Sequence, residues 1–156
     1  MTKEDTAAQL NGLIEVCKDG ENGYNTVAGH VHNTELRTVF EGYAKQRAQF
    51  SRALQAEVER LGGSPVNSGT LTGAMYRGWI DLKAIVTGGD PGAIAAVCEN
   101  GEDSAQAAFE RVVNTDISGE SRTLIEGQWR KIQEAHSRMA GLKEQISSGT
   151  EYPKND

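Results

Sequence analysis

Hydrophobic residues recur at three- and four-residue steps through four long stretches of the chain, the spacing of amphipathic helices. Asn33 and the pair Asp90-Pro91 stand where helix caps and a first-turn proline are favoured, and Gly62-Gly63 stands where helices end. No stretch has a clear strand pattern, so the hydrophobic spacing predicts an all-α fold. The predicted core helices cover about residues 5–31, 34–61, 90–113 and 118–146.

A long connection separates the second and third of these helices. Residues 64–90 keep helical spacing from Leu71 to Ile85 and end at Gly88-Gly89. Because antiparallel neighbours are normally joined by short loops, this length favours a crossover along the bundle that carries an additional short helix. We predict a single helical-bundle domain over residues 1–148 and a polar C-terminal tail over 149–156.

One phrase occurs twice in the chain. Val16-Cys17-Lys18-Asp19-Gly20-Glu21 recurs as Val97-Cys98-Glu99-Asn100-Gly101-Glu102, and each copy puts a glutamate where the apolar stripe should continue. A second phrase follows each copy, since Gln46-Arg47-Ala48-Gln49 is echoed by Gln133-Glu134-Ala135-His136. The chain therefore consists of two similar halves, with a glutamate on one helix and a polar i, i+3 pair on the next.

The polar residues of these phrases fall near the middle of their helices, so we expect them at similar heights in an antiparallel bundle. Buried charge costs several kcal/mol unless it is paired or bound to a cation. Three interpretations remain open: a salt-bridged layer without metal, a metal centre, or a helical phase that is off by one, so that some groups reach solvent. The predicted polar layer consists of Glu21, Gln46, Arg47, Gln49, Glu99, Glu102, Gln133 and His136.

In the salt-bridged interpretation, Arg47 neutralises Glu21 or Glu102, and His136 joins the layer. Cys17 and Cys98 each precede the repeated glutamate by about one turn. They are candidates for thiol ligands, for a redox pair, or for small core residues, and buried free cysteines are usually inert.

Three features together resemble the ferritin-like superfamily. They are the two similar halves, the crossover, and a glutamate on one helix combined with a polar i, i+3 pair on the next. More closely, the chain resembles a bacterial family of uncharacterised ferritin-like four-helix-bundle proteins, and the resemblance covers nearly the whole chain. It implies a ferritin-like four-helix bundle and leaves the activity open. The stretches that carry it are 10–21, 46–50, 61–63, 77–79 and 98–103.

The resemblance also implies a di-metal position, since each half of a ferritin-like di-iron protein supplies one glutamate and one Glu-x-x-His pair. Glu21 and Glu102 match the single glutamates. The two pairs become Gln46-x-x-Gln49 and Gln133-x-x-His136, so both bridging carboxylates and one histidine are missing. The resemblance therefore implies a degenerate di-metal site.

A reduced site remains as a hypothesis within this resemblance. Glu21, Glu102 and His136 are the candidate ligands of one iron or manganese ion, and Glu99 is a possible substitute carboxylate. If the chain is an enzyme, it is then a metal-dependent oxidoreductase, or else a metal-storage relative.

Composition narrows the choice of partners. The net charge of −6 comes from interspersed acidic and basic residues without a basic run, which argues against nucleic acid. No apolar stretch approaches the ~20 residues of a membrane span, and residues 1–5 lack the start of a signal peptide. We expect a cytoplasmic homo-oligomer, with a dimer as the favoured state, that acts as a non-catalytic, stress-associated interaction protein.

Overall fold

The computed structural model describes residues 1–68, 78–79 and 82–147. Within these ranges the chain contains no strand, so the all-α prediction is confirmed. Leu71, Met75 and Arg77 of the predicted connection, and the predicted tail 149–156, lie outside the described residues. The described helices are α1 (Lys3–His30), α2 (Thr34–Arg60), α3 (Leu82–Gly88), α4 (Pro91–Val113) and α5 (Gly119–Ser147).

The helices begin where local hydrogen bonding favours it. The Asn33 and Asp90 side chains cap α2 and α4, as the sequence predicts. The start of α1 differs from the prediction: Thr2 accepts from the Asp5 N–H at 3.0 Å, while the Asp5 carboxylate accepts from the Thr2 N–H at 3.3 Å. This capping box starts α1 two residues earlier than the hydrophobic pattern does. Among the described residues, no helix has the length and hydropathy needed to cross a membrane.

Four long helices surround two apolar clusters, one at each end of the bundle. α1 packs against α2 and α4, and α4 packs against α5. One cluster joins the start of α1 with the end of α2, the end of α4 and the start of α5, and the other cluster joins the opposite ends. Neighbouring helices are therefore antiparallel, and the connection between α2 and α4 leaves one end of the bundle and arrives at the other.

Hydrogen bonds anchor the beginning of this connection. The Asn11 side chain of α1 donates to the Ser64 carbonyl at 3.1 Å and accepts from the Val66 N–H at 3.0 Å. Gln55 of α2 donates to the Val66 carbonyl at 2.8 Å. Because α1 and α2 both hold the same short segment, the connection is directed over the α1–α2 pair as it leaves α2.

The Glu57 carboxylate ties the end of α2 to the start of α5. It accepts from Arg60 Nε at 2.7 Å and Nη2 at 2.6 Å, and also from the Ser121 hydroxyl. The hydrogen bonds from Arg60 hold the pKa of the Glu57 carboxyl below its ordinary value of 4.5, against the opposing effect of burial. The ionised form is therefore the one that the fold favours.

We expect this group to make the stability depend on acidity. Since its pKa is lower in the folded state, Glu57 stabilises the fold above its unfolded pKa, and the contribution is lost as the pH falls through the folded pKa. Urea unfolding at neutral and acidic pH should show a smaller acid-induced loss of stability in Glu57→Gln than in the wild type. The exposed neighbour Glu59 supplies the control, because Glu59→Gln should keep the wild-type pH dependence. Equal pH dependence in wild type and Glu57→Gln would contradict the assignment.

Candidate functional site

A buried ion pair lies at the middle of the described core, between the two apolar clusters. Arg47 Nη2 of α2 donates to Glu102 Oε2 of α4 at 2.6 Å, and the two side chains are 1% and 0% exposed. In sequence each of them falls between residues of one cluster and residues of the other. A charge-assisted hydrogen bond of this length between fully buried side chains is strong, and it fixes the relative height of α2 and α4.

Several groups shape the space around Arg47. Its Nε donates to the Gln46 side chain at 3.3 Å, and its guanidinium carbon lies 5.7 Å from the centre of the Tyr24 ring, within cation–π range. Gly20 of α1 leaves room for the arginine, because a Cβ there would lie 3.3 Å from Arg47 Cγ and from Nη1. Burial is the largest single effect and works to lower the pKa of Arg47, but the charge of Glu102 and its hydrogen bond, with smaller contributions from Tyr24 and Cys17, together raise that pKa above its ordinary value.

The two cysteines of the centre are held in their neutral forms. Burial raises the pKa of Cys17 to about 12, and burial followed by the Glu102 charge raises the pKa of Cys98 well above its ordinary value. Both cysteines are free thiols in the core. Since the thiolate is the reactive form, these cysteines are packing residues rather than nucleophiles at neutral pH.

Tyr24 completes the centre on the α1 side. Burial and then the charge of Glu102 raise the pKa of its hydroxyl well above the ordinary value. The Tyr24 hydroxyl and Glu102 Oε1 are both buried without a hydrogen-bond partner among the described residues. The centre is therefore a cation, a carboxylate and a neutral phenol packed at close range.

Glu21, the partner of Glu102 in the sequence repeat, lies elsewhere. Its side chain is 26% exposed and faces Lys18 at 3.5 Å. The core position between Cys17 and Tyr24 is taken by Gly20. The structure corrects the predicted stripe by one residue, from Glu21 to Gly20. Glycine gives no hydrophobic signal in the sequence, so the pattern placed the neighbouring glutamate in the stripe.

His136 shows the same displacement on α5. Its side chain is 27% exposed and contacts Asp103 of α4, and the core position between Ile132 and Met139 is taken by Ala135. Of the other predicted members of the layer, Gln49 is exposed and Gln133 is half-buried. Glu99 pairs with Lys143 at 3.1 Å.

The three candidate metal ligands are thus not brought together. Glu102 faces Arg47, Glu21 faces Lys18, and His136 faces Asp103. In the described part of the chain, no group of three or more His, Cys, Asp or Glu side chains is placed to hold a metal ion. The residues present therefore do not fit the reduced iron or manganese site that the resemblance implies.

A comparison with known protein families identifies the family of this chain. The profile of the family described as "Domain of unknown function (DUF2383)" matches residues 5–115. The chain belongs to this family. The match runs from the first turn of α1 to just beyond α4, so it includes both residues of the buried ion pair and excludes α5. No curated protein matches the chain.

Sequence reasoning missed how closely this DUF2383 chain packs one aromatic residue. Trp79 is 1% exposed, and its ring lies between Gly23 of α1 and Gly101 of α4, where a Cβ on either glycine would come closer than 3.0 Å. The same ring packs edge-on against Tyr24, with centroids 4.9 Å apart. The signal was the presence of glycines in helix interiors, which are costly unless something needs the space.

Proposed function

We propose that the chain is a non-catalytic, ferritin-like four-helix-bundle protein in which an internal ion pair replaces the di-metal centre. The observation that carries the proposal is the Arg47–Glu102 pair at 2.6 Å, which lies in the core between the two apolar clusters. The guanidinium supplies the positive charge that a metal ion supplies in a di-metal bundle. The end-to-end connection between α2 and α4, together with antiparallel neighbours, supports the ferritin-like assignment.

The local chemistry explains why the pair excludes a cation at this position. Arg47 is permanently charged and occupies Glu102 Oε2, so a second cation beside it would meet repulsion in a medium of low dielectric. The two glutamines at positions 46 and 49 carry no charge to compensate. With both bridging carboxylates replaced, the residues needed to hold and neutralise two metal ions for oxygen chemistry are missing.

The protein then acts by binding rather than by chemistry. We propose a bacterial interaction protein of the cytoplasm, and two free cysteines without a disulfide framework agree with a reducing compartment. In this role the ion pair sets the helix register, and the outer surfaces of the helices carry the function.

Metal analysis tests this proposal. Protein purified without a polyhistidine tag should contain far less than one equivalent of iron or manganese, and chelator should leave its melting temperature unchanged. A ligand that binds only the folded state stabilises it by mass action, so a resident metal would show itself as a fall in Tm on chelation.

The opposite result would point to a resident metal ion. A chelator-induced fall in Tm that iron or manganese reverses, and that is absent in Glu21→Gln and His136→Asn, would overturn the proposal. It would favour the alternative of a metal-storage or oxidoreductase protein with a reduced Glu/His site. Both test residues are partly exposed, so the variants are expected to fold.

A further inference from the structure

Within the described residues, the contact between the neighbouring helices α2 and α5 is the loosest of the bundle. These two neighbours pack less closely than α1 with α2, α1 with α4, or α4 with α5. Two grooves follow this seam, one of about 550 Å³ towards the first apolar cluster and one of about 400 Å³ towards the second. Phe50 and Leu124 line the first groove, and Val39 and Leu142 line the second.

α5 presents a second repeating stripe to this seam, beside the one that enters the core. Its members alternate between three- and four-residue steps, so they lie along one face of the helix. Those nearer the start of α5 line the first groove and the others line the second. The stripe consists of Leu124, Gly127, Lys131, Glu134, Arg138, Gly141 and Gln145.

The charges on the stripe have no partner within the described part of the chain. Lys131, Glu134 and Arg138 are exposed and take part in none of its ion pairs. Gly127 and Gly141 leave open space, since nothing lies within 4 Å of a Cβ at either position. The glycines of the stripe would therefore let a second helix approach closely, and its charged residues would fix the register of that helix.

The stripe is complementary to itself in the antiparallel direction. When a second α5 runs the opposite way, Lys131 faces the partner's Glu134, and the same contact recurs on the other side of the two-fold axis. In this register Arg138 lies over the partner's Gly127, and Leu124 lies over the partner's Gly141. An isologous interface requires this kind of self-matching pattern.

A buried amide beside the stripe provides an independent observation. Gln128 is 4% exposed and lines the first groove. Its Nε2 donates to the Phe50 carbonyl at 3.4 Å, but its Oε1 is buried without a partner among the described residues. Buried polar atoms are rarely left unpaired, and because this oxygen has no accessible surface, a donor from outside would reach it only if the Gln128 side chain turned towards the groove.

We propose that two copies of the chain associate through the α2–α5 seam, with the two α5 helices antiparallel and Lys131 of each copy paired with the partner's Glu134. Charge complementarity selects a second copy as the occupant, because the stripe supplies both signs at the spacing that an antiparallel copy requires. The interface uses no residue of the Arg47–Glu102 pair, so this inference stands or fails independently of the proposed function.

Charge reversal tests the pairing in solution. Sedimentation of the wild type should show a dimer. Lys131→Glu and Glu134→Lys should each raise the dimer Kd by at least about tenfold, because like charges then face each other at both symmetric contacts. An equimolar mixture of the two variants should recover the dimer, since every facing pair is again opposite. Lys45→Glu, an exposed site on the α1–α2 groove, is the control and should remain dimeric.

A steric pair of variants tests the same face without changing charge. Gly127→Leu should weaken the dimer, whereas Gly29→Leu on α1 should not, and both sites have open space around them in the single chain. Circular dichroism confirms that each variant is folded. A wild type that is monomeric at all concentrations, or a mixture of the two charge variants that stays monomeric, would overturn the proposal.

Discussion

Replacing Arg47 by methionine should lower the free energy of unfolding by about 3–5 kcal/mol, the usual cost of breaking a buried ion pair on one side. The substitution leaves the Glu102 carboxylate in a site that is 0% exposed, without its charge partner. Chemical denaturation of wild type and variant measures the loss. Arg52→Met, at an exposed position on the same helix, should change stability little.

Removing the second charge should recover much of that loss. Arg47→Met combined with Glu102→Leu replaces the pair by apolar side chains of similar size, and such replacements are often neutral or stabilising. Glu21 needs no change, because it faces Lys18 at the surface instead of Arg47. A double variant as unstable as Arg47→Met alone would show that the carboxylate is not what makes the single change costly.

Adding a methyl group at Gly101 should destabilise the protein by about 1–3 kcal/mol, in spite of the better helix propensity of alanine. The new Cβ would lie under 3.0 Å from the ring of Trp79, which is itself held against Tyr24 and Gly23. Thermal and urea unfolding of Gly101→Ala measure the cost. Gly12→Ala in α1 is the matched control, since nothing lies within 4 Å of a Cβ there, and it should be neutral or stabilising.

A double-mutant cycle assigns the cost to the indole ring. Trp79→Leu keeps an apolar side chain but removes the ring, so Gly101→Ala should cost much less in that background than in the wild type. The two residues then show a large coupling energy. If Gly101→Ala costs the same in both backgrounds, the strain comes from the helix rather than from Trp79.

The helices themselves follow from local rules. Asn33 and Asp90 start helices where they were predicted to, and α2 ends before Gly62, whose φ of +83° few other residues adopt. These signals depend on a residue and its near neighbours, so the sequence is sufficient to read them. The Thr2–Asp5 capping box is equally local and was available in the sequence.

The centre of the bundle depends on contacts between distant helices. The repeat in the sequence makes Glu21 and Glu102 equivalent, but only Glu102 lies in the core. Hydrophobic periodicity identifies a buried stripe only to within one position. Gly20 and Ala135 belong to the stripe, but their side chains are too small to give a clear hydrophobic signal in the sequence. Arg47 and Trp79 help to determine which helix positions are buried, because each fills the space that a glycine on a neighbouring helix leaves open.

The sequence by itself therefore determined the helical class, most of the helix ends and the long connection. It also indicated polar residues near the middle of the helices, of which the structure buries Arg47 and Glu102 as a pair. The tertiary structure alone decided which polar residues are buried and which charges meet, and it brought Arg47 rather than a third ligand to Glu102. The physical reason is that helix formation is governed by neighbours within about one turn, whereas burial is governed by the volumes and charges that other helices bring to the same place.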